Sequence, residues 1–182
     1  MRVLGAVLAG GQSSRFGSDK ALAKINGETL LDRSVAALRD QCSSVCVVGR
    51  RAAPVQVVAD WPRPGLGPLG GIAAALRHAR DVNLPYVLTV AVDIPALPRD
   101  LVKQLVPAPA CVADQPVVGL WRTADIDIID ALLASDAKHS LIAFADACGA
   151  RRVKLTRALG NINTREDLDE IPGGGTGEGS NL

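Results

Sequence analysis

The sequence lacks the residue patterns of several common protein classes. It contains four cysteines and two histidines but no Cys-x-x-Cys pair, and the histidines are far from the cysteines in sequence. These residues are Cys42, Cys46, Cys111, Cys148, His78 and His139. Their spacing does not match a zinc site. We therefore expect free thiols that are buried or partly buried, and no ligand or base role for either histidine.

Long apolar runs and an excess of one charge are also missing. No run approaches the roughly 20 apolar residues of a membrane-spanning helix, and the N-terminal run is broken at Gly10 and Gly11. The 20 Lys and Arg nearly balance the 19 Asp and Glu, which does not suggest a nucleic-acid or membrane partner. We expect a cytoplasmic monomer that acts on small molecules.

Short apolar runs alternate with helical spacings in the first half of the chain. The runs predicted to be strands are Val3–Leu8, 45–48, 55–59 and 86–92. Apolar residues spaced three and four apart predict helices after Thr29 and Ile72. This alternation predicts a three-layer α/β/α, Rossmann-like fold with a mostly parallel central sheet.

Two segments differ from this pattern. Residues 61–71 hold three prolines and four glycines, which predicts an irregular loop. Residues 173–182 hold five glycines and are predicted to be a flexible tail. The remaining residues, 1–172, are expected to form a single domain, which ends in a helix over residues 164–171.

Ligands of such sheets bind beyond the carboxyl ends of the strands, where the first loop of this chain is glycine-rich and cationic. Gly10 and Gly11 allow close approach of the backbone to a ligand, and Arg15 and Lys20 follow in the same loop. The two cations could neutralise a triphosphate and stabilise charge at its α-phosphorus. Neither a Walker A motif nor a dinucleotide fingerprint is present, and a flexible, solvated loop is the alternative interpretation.

Two aspartates follow later strands. Asp93 comes directly after the apolar run 86–92 and is a candidate ligand of Mg²⁺, or of Mn²⁺ in its place. Asp60 could accept a hydrogen bond from a ribose or help to hold the metal, and the Gly/Pro run around Gly67 could press against a base or sugar. A helix cap is the competing interpretation for Asp93, and a rigid connector is the competing interpretation for the loop.

No Ser/His/Asp or Cys/His arrangement offers a nucleophile. The residues therefore favour transfer in which an ionised phosphate of the acceptor attacks the α-phosphorus of a nucleotide and pyrophosphate leaves.

The motifs resemble those of the molybdenum cofactor guanylyltransferases, the MobA-like nucleotidyltransferases. The signature loop corresponds to Leu8-Ala9-Gly10-Gly11-x-Ser13-x-Arg15-Phe16-Gly17-x-Asp19-Lys20. The later motifs follow in family order: Asp60, Gly67-Pro68-Leu69-Gly70-Gly71-Ile72, Asp93-Ile94-Pro95-x-Leu97-Pro98, Gln115-Pro116 and Asn161-Ile162-Asn163-Thr164.

This resemblance implies transfer of GMP from GTP to the phosphate of molybdopterin, metal-free or molybdenum-loaded, in molybdenum cofactor biosynthesis. It implies phosphate contacts by Lys20 and Arg15, a magnesium ligand in Asp93, and pterin contacts by Asn161 and Asn163. The implied nucleotide-binding residues are Leu8, Ala9, Gly10, Gly11, Lys20, Asp60, Gly67 and Asp93. Transient contacts with other proteins of the same biosynthesis are also expected.

One departure from the family stands at Val48-Gly49-Arg50, where members often carry an asparagine that contacts the nucleotide; we assign no role there. The nearest rival function is that of a cytidylyltransferase for the same cofactor, whose loop usually reads Leu-Ala-Ala-Gly. A nucleotidyltransferase for a different small-molecule phosphate and a catalytically silent nucleotide-binding module would share the same fold. The presence of Arg15, Lys20 and both aspartates argues against the silent module.

Overall fold

The fold is that of a computed structural model, which describes residues 1–10, 19–135, 140–162 and 167. Three of the predicted site residues, Gly11, Arg15 and Asn163, lie outside these ranges. The predicted tail and nearly all of the predicted last helix also lie outside them.

Nine strands form one large sheet and one small hairpin within the described residues. The large sheet contains β1 (Val3–Leu8), β4 (Ser44–Val48), β5 (Gln56–Val58), β6 (Tyr86–Ala91), β7 (Ala110–Val112), β8 (Gly119–Arg122) and β9 (Arg151–Val153). Its order is β5-β4-β1-β6-β8-β7-β9, and only β8 runs antiparallel to its neighbours. The hairpin pairs β2 (Lys24–Ile25) with β3 (Glu28–Thr29). The predicted mostly parallel sheet is confirmed.

Helices cover both faces of the sheet. They are α1 (Leu30–Arg39), α2 (Gly67–Asp81), α3 (Leu101–Leu105), α4 (Ile126–Ala134) and α5 (Leu141–Ala147). Buried residues of α2, α4 and α5 pack in one core with Leu4 and Trp121, whereas those of α1 and α3 pack in a second core with Val3 and Val7. Because neighbouring strand residues face opposite sides, the two cores confirm the three-layer fold.

The start of α2 corrects one prediction. Residues 67–71 are helical rather than irregular, so only residues 61–66 form the loop. Pro68 is tolerated in the first turn because its missing N–H would have had no partner within the helix. Gly70 lets the loop fold back closely, since a methyl group there would lie 3.0 Å from the Leu66 Cβ and 3.1 Å from the Trp61 carbonyl oxygen.

The four cysteines are free, and three of them are buried. Burial raises the pKa of Cys42, Cys46 and Cys148 to about 12, so these thiols stay protonated at neutral pH. The prediction of free, largely buried thiols is confirmed. Across the part of the chain that the structure describes, no helix is both long and apolar enough to cross a membrane.

Candidate active site

The candidate site is a cleft at the carboxyl edge of the parallel strands. Since β4 lies on one side of β1 and β6 on the other, the chain changes direction across the sheet at β1. Ligands of open α/β sheets bind at such switch points. The cleft has a volume of about 630 Å³, which suits a nucleotide-sized ligand.

Seven of the eight predicted nucleotide-binding residues line this cleft, and the eighth, Gly11, lies outside the described residues. The seven are Leu8, Ala9, Gly10, Lys20, Asp60, Gly67 and Asp93. Most of them lie at or just beyond the ends of β1, β5 and β6, Gly67 lies in the first turn of α2, and Lys20 follows the glycine loop. The sequence motifs, which are scattered over most of the first half of the chain, therefore converge on one surface.

Hydrogen bonds beyond the strand ends hold the floor of the cleft together. The Ala9 N–H donates to the Val48 carbonyl oxygen at 3.0 Å, and the Val92 N–H donates to the Leu8 carbonyl oxygen at 3.2 Å. The ends of β1, β4 and β6 are thus fixed relative to one another. A floor of this kind is preorganised, which lowers the entropic cost of binding a ligand on it.

Lys20 and Asp93 contact each other across this floor. Lys20 begins a short 3₁₀ helix, Lys20–Leu22, which is capped by the Asp19 carboxylate at 3.2 Å from the Ala21 nitrogen. The Lys20 Nζ lies 3.3 Å from the Asp93 Oδ2, and both side chains keep some exposure, 14% and 29%. The site therefore presents an ammonium and a carboxylate side by side, facing a cavity rather than sealed in the core.

Asp60 lies among three glycines. Methyl groups added at Gly10 or Gly49 would each lie 3.2 Å from its Oδ2, and one at Gly71 would lie 3.7 Å from its Oδ1. No described residue forms a hydrogen bond or an ion pair with this carboxylate, and burial raises its pKa. Asp60 is thus a desolvated acceptor whose hydrogen-bonding capacity is available to a ligand.

Of the two predicted pterin-binding residues, the structure describes only Asn161. Asn161 is exposed and does not line the cleft. The neighbouring Ile162 N–H donates to the Asp93 carbonyl oxygen at 2.9 Å. The segment that carries Asn161 is therefore tied to the same strand end as the predicted metal ligand.

The donors in the cleft fit a magnesium ion that also binds substrate phosphates. Mg²⁺ commonly takes one or two protein carboxylates and completes its shell with phosphate oxygens and water. Three carboxylates line the cleft, of which Asp19 is paired with Arg50, so Asp93 and Asp60 are the two that could serve such an ion. Within the described ranges no group of three or more His, Cys, Asp or Glu side chains could hold a metal ion, so an all-protein cage is not offered there.

Residues 5–153 match the family of MobA-like NTP transferase domains. The chain belongs to the MobA-like NTP transferase family. A molybdenum cofactor guanylyltransferase from Rhodobacter capsulatus is 36% identical over 179 residues, which cover 92% of this chain and 94% of that protein. Another from Rhizobium johnstonii is 35% identical over 189 residues, covering 92% and 90%. The resemblance seen in the motifs is confirmed.

A solved structure shows the same fold. The crystal structure of molybdopterin-guanine dinucleotide biosynthesis protein A from Archaeoglobus fulgidus matches with a TM-score of 0.74. The match covers 91% of this chain and 95% of that one at 18% sequence identity. At this identity the likeness concerns the fold alone.

At Val48-Gly49-Arg50, where the resemblance led us to expect an asparagine in many family members, Gly49 leaves no room for a side chain. Gly49 has a φ of 82°, and a methyl group on it would lie 2.5 Å from the Gly10 Cα. An asparagine side chain in this conformation would collide with the loop backbone. The preceding Val48 lines the cleft, a contact that its place at the end of a predicted strand could have suggested.

Sequence reasoning missed a second ion pair beside the cleft. The Arg50 guanidinium donates to both oxygens of the Asp19 carboxylate, at 2.9 and 2.6 Å. These hydrogen bonds lower the pKa of Asp19 below its ordinary value, and Asp19 itself lines the cleft. The partners are 31 residues apart, and no local spacing in the sequence relates them.

Proposed function

We propose that this MobA-like protein transfers GMP from GTP to the phosphate of molybdopterin, metal-free or molybdenum-loaded, and releases pyrophosphate. The product would be molybdopterin guanine dinucleotide. Full-length relatives at 36% and 35% identity carry the name molybdenum cofactor guanylyltransferase, which supports this choice of substrates.

The contact between Lys20 and Asp93 is the observation that carries the proposal. A cation and an acid separated by 3.3 Å on the wall of a nucleotide-sized cleft suit a metal-bound polyphosphate. Lys20 would bind phosphate oxygens and offset the charge that develops at the α-phosphorus. Asp93 would hold Mg²⁺, which when bound would neutralise part of the phosphate charge. We assign Arg15 a similar phosphate contact because it belongs to the same cationic loop.

The remaining cleft residues would bind the nucleoside and orient it. Leu8, Ala9 and Gly10 form a backbone floor on which a flat guanine could lie. Asp60 would accept hydrogen bonds from ribose hydroxyls, which would satisfy its carboxylate oxygens. Gly67 lines the cleft in the first turn of α2, where its backbone could press against the base or sugar.

The reaction requires no nucleophile from the protein. An oxygen of the acceptor phosphate attacks the α-phosphorus, the bond from that phosphorus to the α–β bridging oxygen breaks, and pyrophosphate leaves with the electron pair. The attacking phosphate is already ionised at neutral pH, so no base has to remove a proton. The protein supplies alignment of the two phosphates and stabilisation of charge.

The acceptor would lie near Asn161 and Asn163, because the segment containing Asn161 is tied to Asp93 through Ile162. We also propose that the protein acts in the cytoplasm, as a single-domain monomer over residues 1–172. We also assign it transient contacts with other proteins of molybdenum cofactor biosynthesis.

A pyrophosphate assay separates an enzyme from a silent nucleotide-binding module. Purified protein would be incubated with Mg²⁺ and α-labelled GTP, with and without molybdopterin. We expect release of pyrophosphate and label in the pterin product only when the acceptor is present. Binding of GTP with neither product would contradict the proposed transfer and favour the silent module.

A further inference from the structure

Arg50 and Asp19 form a close ion pair at the edge of the cleft. Arg50 follows Gly49 directly, just beyond the end of β4, and its side chain is only 16% exposed. Its two terminal nitrogens donate one hydrogen bond to each oxygen of the Asp19 carboxylate. Asp19 is the only hydrogen-bond partner of Arg50 among the described residues.

Asp19 is a poorly suited neighbour for a polyphosphate site. Its side chain is 44% exposed and lines the cleft, and it immediately precedes Lys20. An unpaired carboxylate here would repel the phosphates and would compete with them for the Lys20 ammonium. The carboxylate nevertheless has a structural task, since its Oδ1 accepts from the Ala21 N–H and caps the turn that carries Lys20.

We propose that Arg50 is a positioning residue that neutralises Asp19 and holds its carboxylate, so that the charge of Lys20 acts on the polyphosphate. The inference rests on the proposed function, because it requires a nucleoside triphosphate beside Lys20. Arg50 itself would touch neither substrate. Its effect would pass through the carboxylate that it pairs with.

The competing explanation is that Arg50 acts only as a brace that stabilises the local structure. The cap that Asp19 forms on the Ala21 N–H allows these two explanations to be distinguished. Asp19→Asn keeps a side-chain oxygen for the Ala21 N–H but removes the negative charge. If Arg50 acts by neutralisation, Arg50→Ala harms binding only while Asp19 remains charged. If Arg50 acts as a brace, removing the Asp19 charge as well cannot restore binding.

The test measures Mg²⁺–GTP binding by calorimetry, and KM and kcat of transfer, for the wild type, Arg50→Ala, Asp19→Asn and the double variant. We expect Arg50→Ala to weaken binding roughly tenfold and raise KM with little change in kcat. Asp19→Asn should bind as tightly as the wild type or more tightly. The double variant should bind within about twofold of the wild type, since the net charge of the pair is again zero.

Arg51→Ala is the matched control, because Arg51 is exposed and its loss changes the total charge by the same amount. Thermal unfolding checks that each variant is folded, and Arg50→Gln replaces Arg50→Ala if the latter is not. A double variant as weak as Arg50→Ala, or normal binding by Arg50→Ala, would overturn the inference. Absence of Mg²⁺–GTP binding by the wild type would instead contradict the proposed function.

Discussion

The Lys20 ammonium and the Asp93 carboxylate, 73 residues apart in sequence, lie 3.3 Å apart in the cleft. Lys20 follows the loop after β1 and Asp93 follows β6, and the fold brings them together at the switch between these two strands. A partly exposed pair of this kind contributes only about 0–1 kcal/mol to stability. Its arrangement is therefore better explained by binding than by folding.

Replacement of Lys20 by alanine should abolish most transfer while leaving the fold intact. We expect kcat/KM to fall by roughly 10²–10³, because a charge that stabilises the transition state is lost. The melting temperature should change little, since the Lys20–Asp93 pair is partly exposed. Steady-state kinetics and calorimetry would be compared with those of Lys24→Ala, a nearby exposed lysine. Turnover at the wild-type rate would exclude Lys20 from the mechanism.

Asp93→Asn should change the requirement for metal. An amide is a weaker ligand for Mg²⁺ than a carboxylate, so half-maximal activity should need roughly 10–100 times more Mg²⁺. The measurement is a titration of transfer rate against Mg²⁺ at saturating GTP, repeated with Mn²⁺. Asp127→Asn, which changes an exposed carboxylate on α4, serves as the control. A metal titration that superimposes on the wild type would remove Asp93 as a ligand.

Gly49→Ala tests the close approach of the segment after β4 to the glycine loop. The added methyl group would lie 2.5 Å from the Gly10 Cα, so the cleft floor must shift and KM for GTP should rise. We also expect unfolding free energy to fall by about 1–3 kcal/mol from backbone strain and the clash.

Gly27→Ala separates these two causes. Gly27 has a φ of 81°, close to that of Gly49, but no heavy atom lies within 4 Å of a methyl group there. It should therefore show the strain alone and leave KM unchanged. Equal effects of the two substitutions on stability and KM would mean that the contact with Gly10 is unimportant.

Asp60→Asn should stabilise the protein without ligand while impairing transfer. Burial raises the pKa of Asp60 above its ordinary value of 3.8, so the folded state binds this proton more tightly than the unfolded state. Stability from this group is therefore highest below the ordinary value and is lost as the pH rises through the folded-state pKa.

The amide introduced by Asp60→Asn cannot ionise, so the variant does not lose this stability as the pH rises. Melting temperatures measured between acidic and neutral pH should show Asp60→Asn above the wild type at pH 7, with the difference shrinking at the acidic end. Transfer should fall at every pH, because the amide accepts hydrogen bonds from the ribose hydroxyls less strongly than the carboxylate does. A lower melting temperature for the variant at pH 7 would show that the ionised Asp60 has a stabilising partner.

Local patterns predicted the parts of this fold that depend on local physics. Val3–Leu8 and the strand after Pro85 are nearly continuous apolar runs, which are typical of buried parallel strands. The strand-end rule then located Asp60 and Asp93 without knowledge of any contact. The start of α2 at Gly67 was missed because glycine and proline disfavour helix interiors, whereas their positions in the first turns are tolerated.

Contacts between residues far apart in sequence could not be predicted, because no local pattern in the sequence indicates them. The contact between Arg50 and Asp19 depends on how far the segment after β4 reaches across the end of β1. Neither residue stands in a periodic pattern that would indicate this distance. Likewise, the crowding of Gly49 against Gly10 follows from tertiary packing, and the sequence shows only that both are glycines.

A direct competition among nucleotides tests guanylyl transfer most directly. GTP, CTP, ATP and UTP would be mixed in equal amounts with Mg²⁺ and molybdopterin, and the dinucleotide products would be resolved by mass. We predict molybdopterin guanine dinucleotide as the main product, formed by the wild type and lost in Lys20→Ala. A main product that contains cytosine, or no dinucleotide from any nucleotide, would contradict the account.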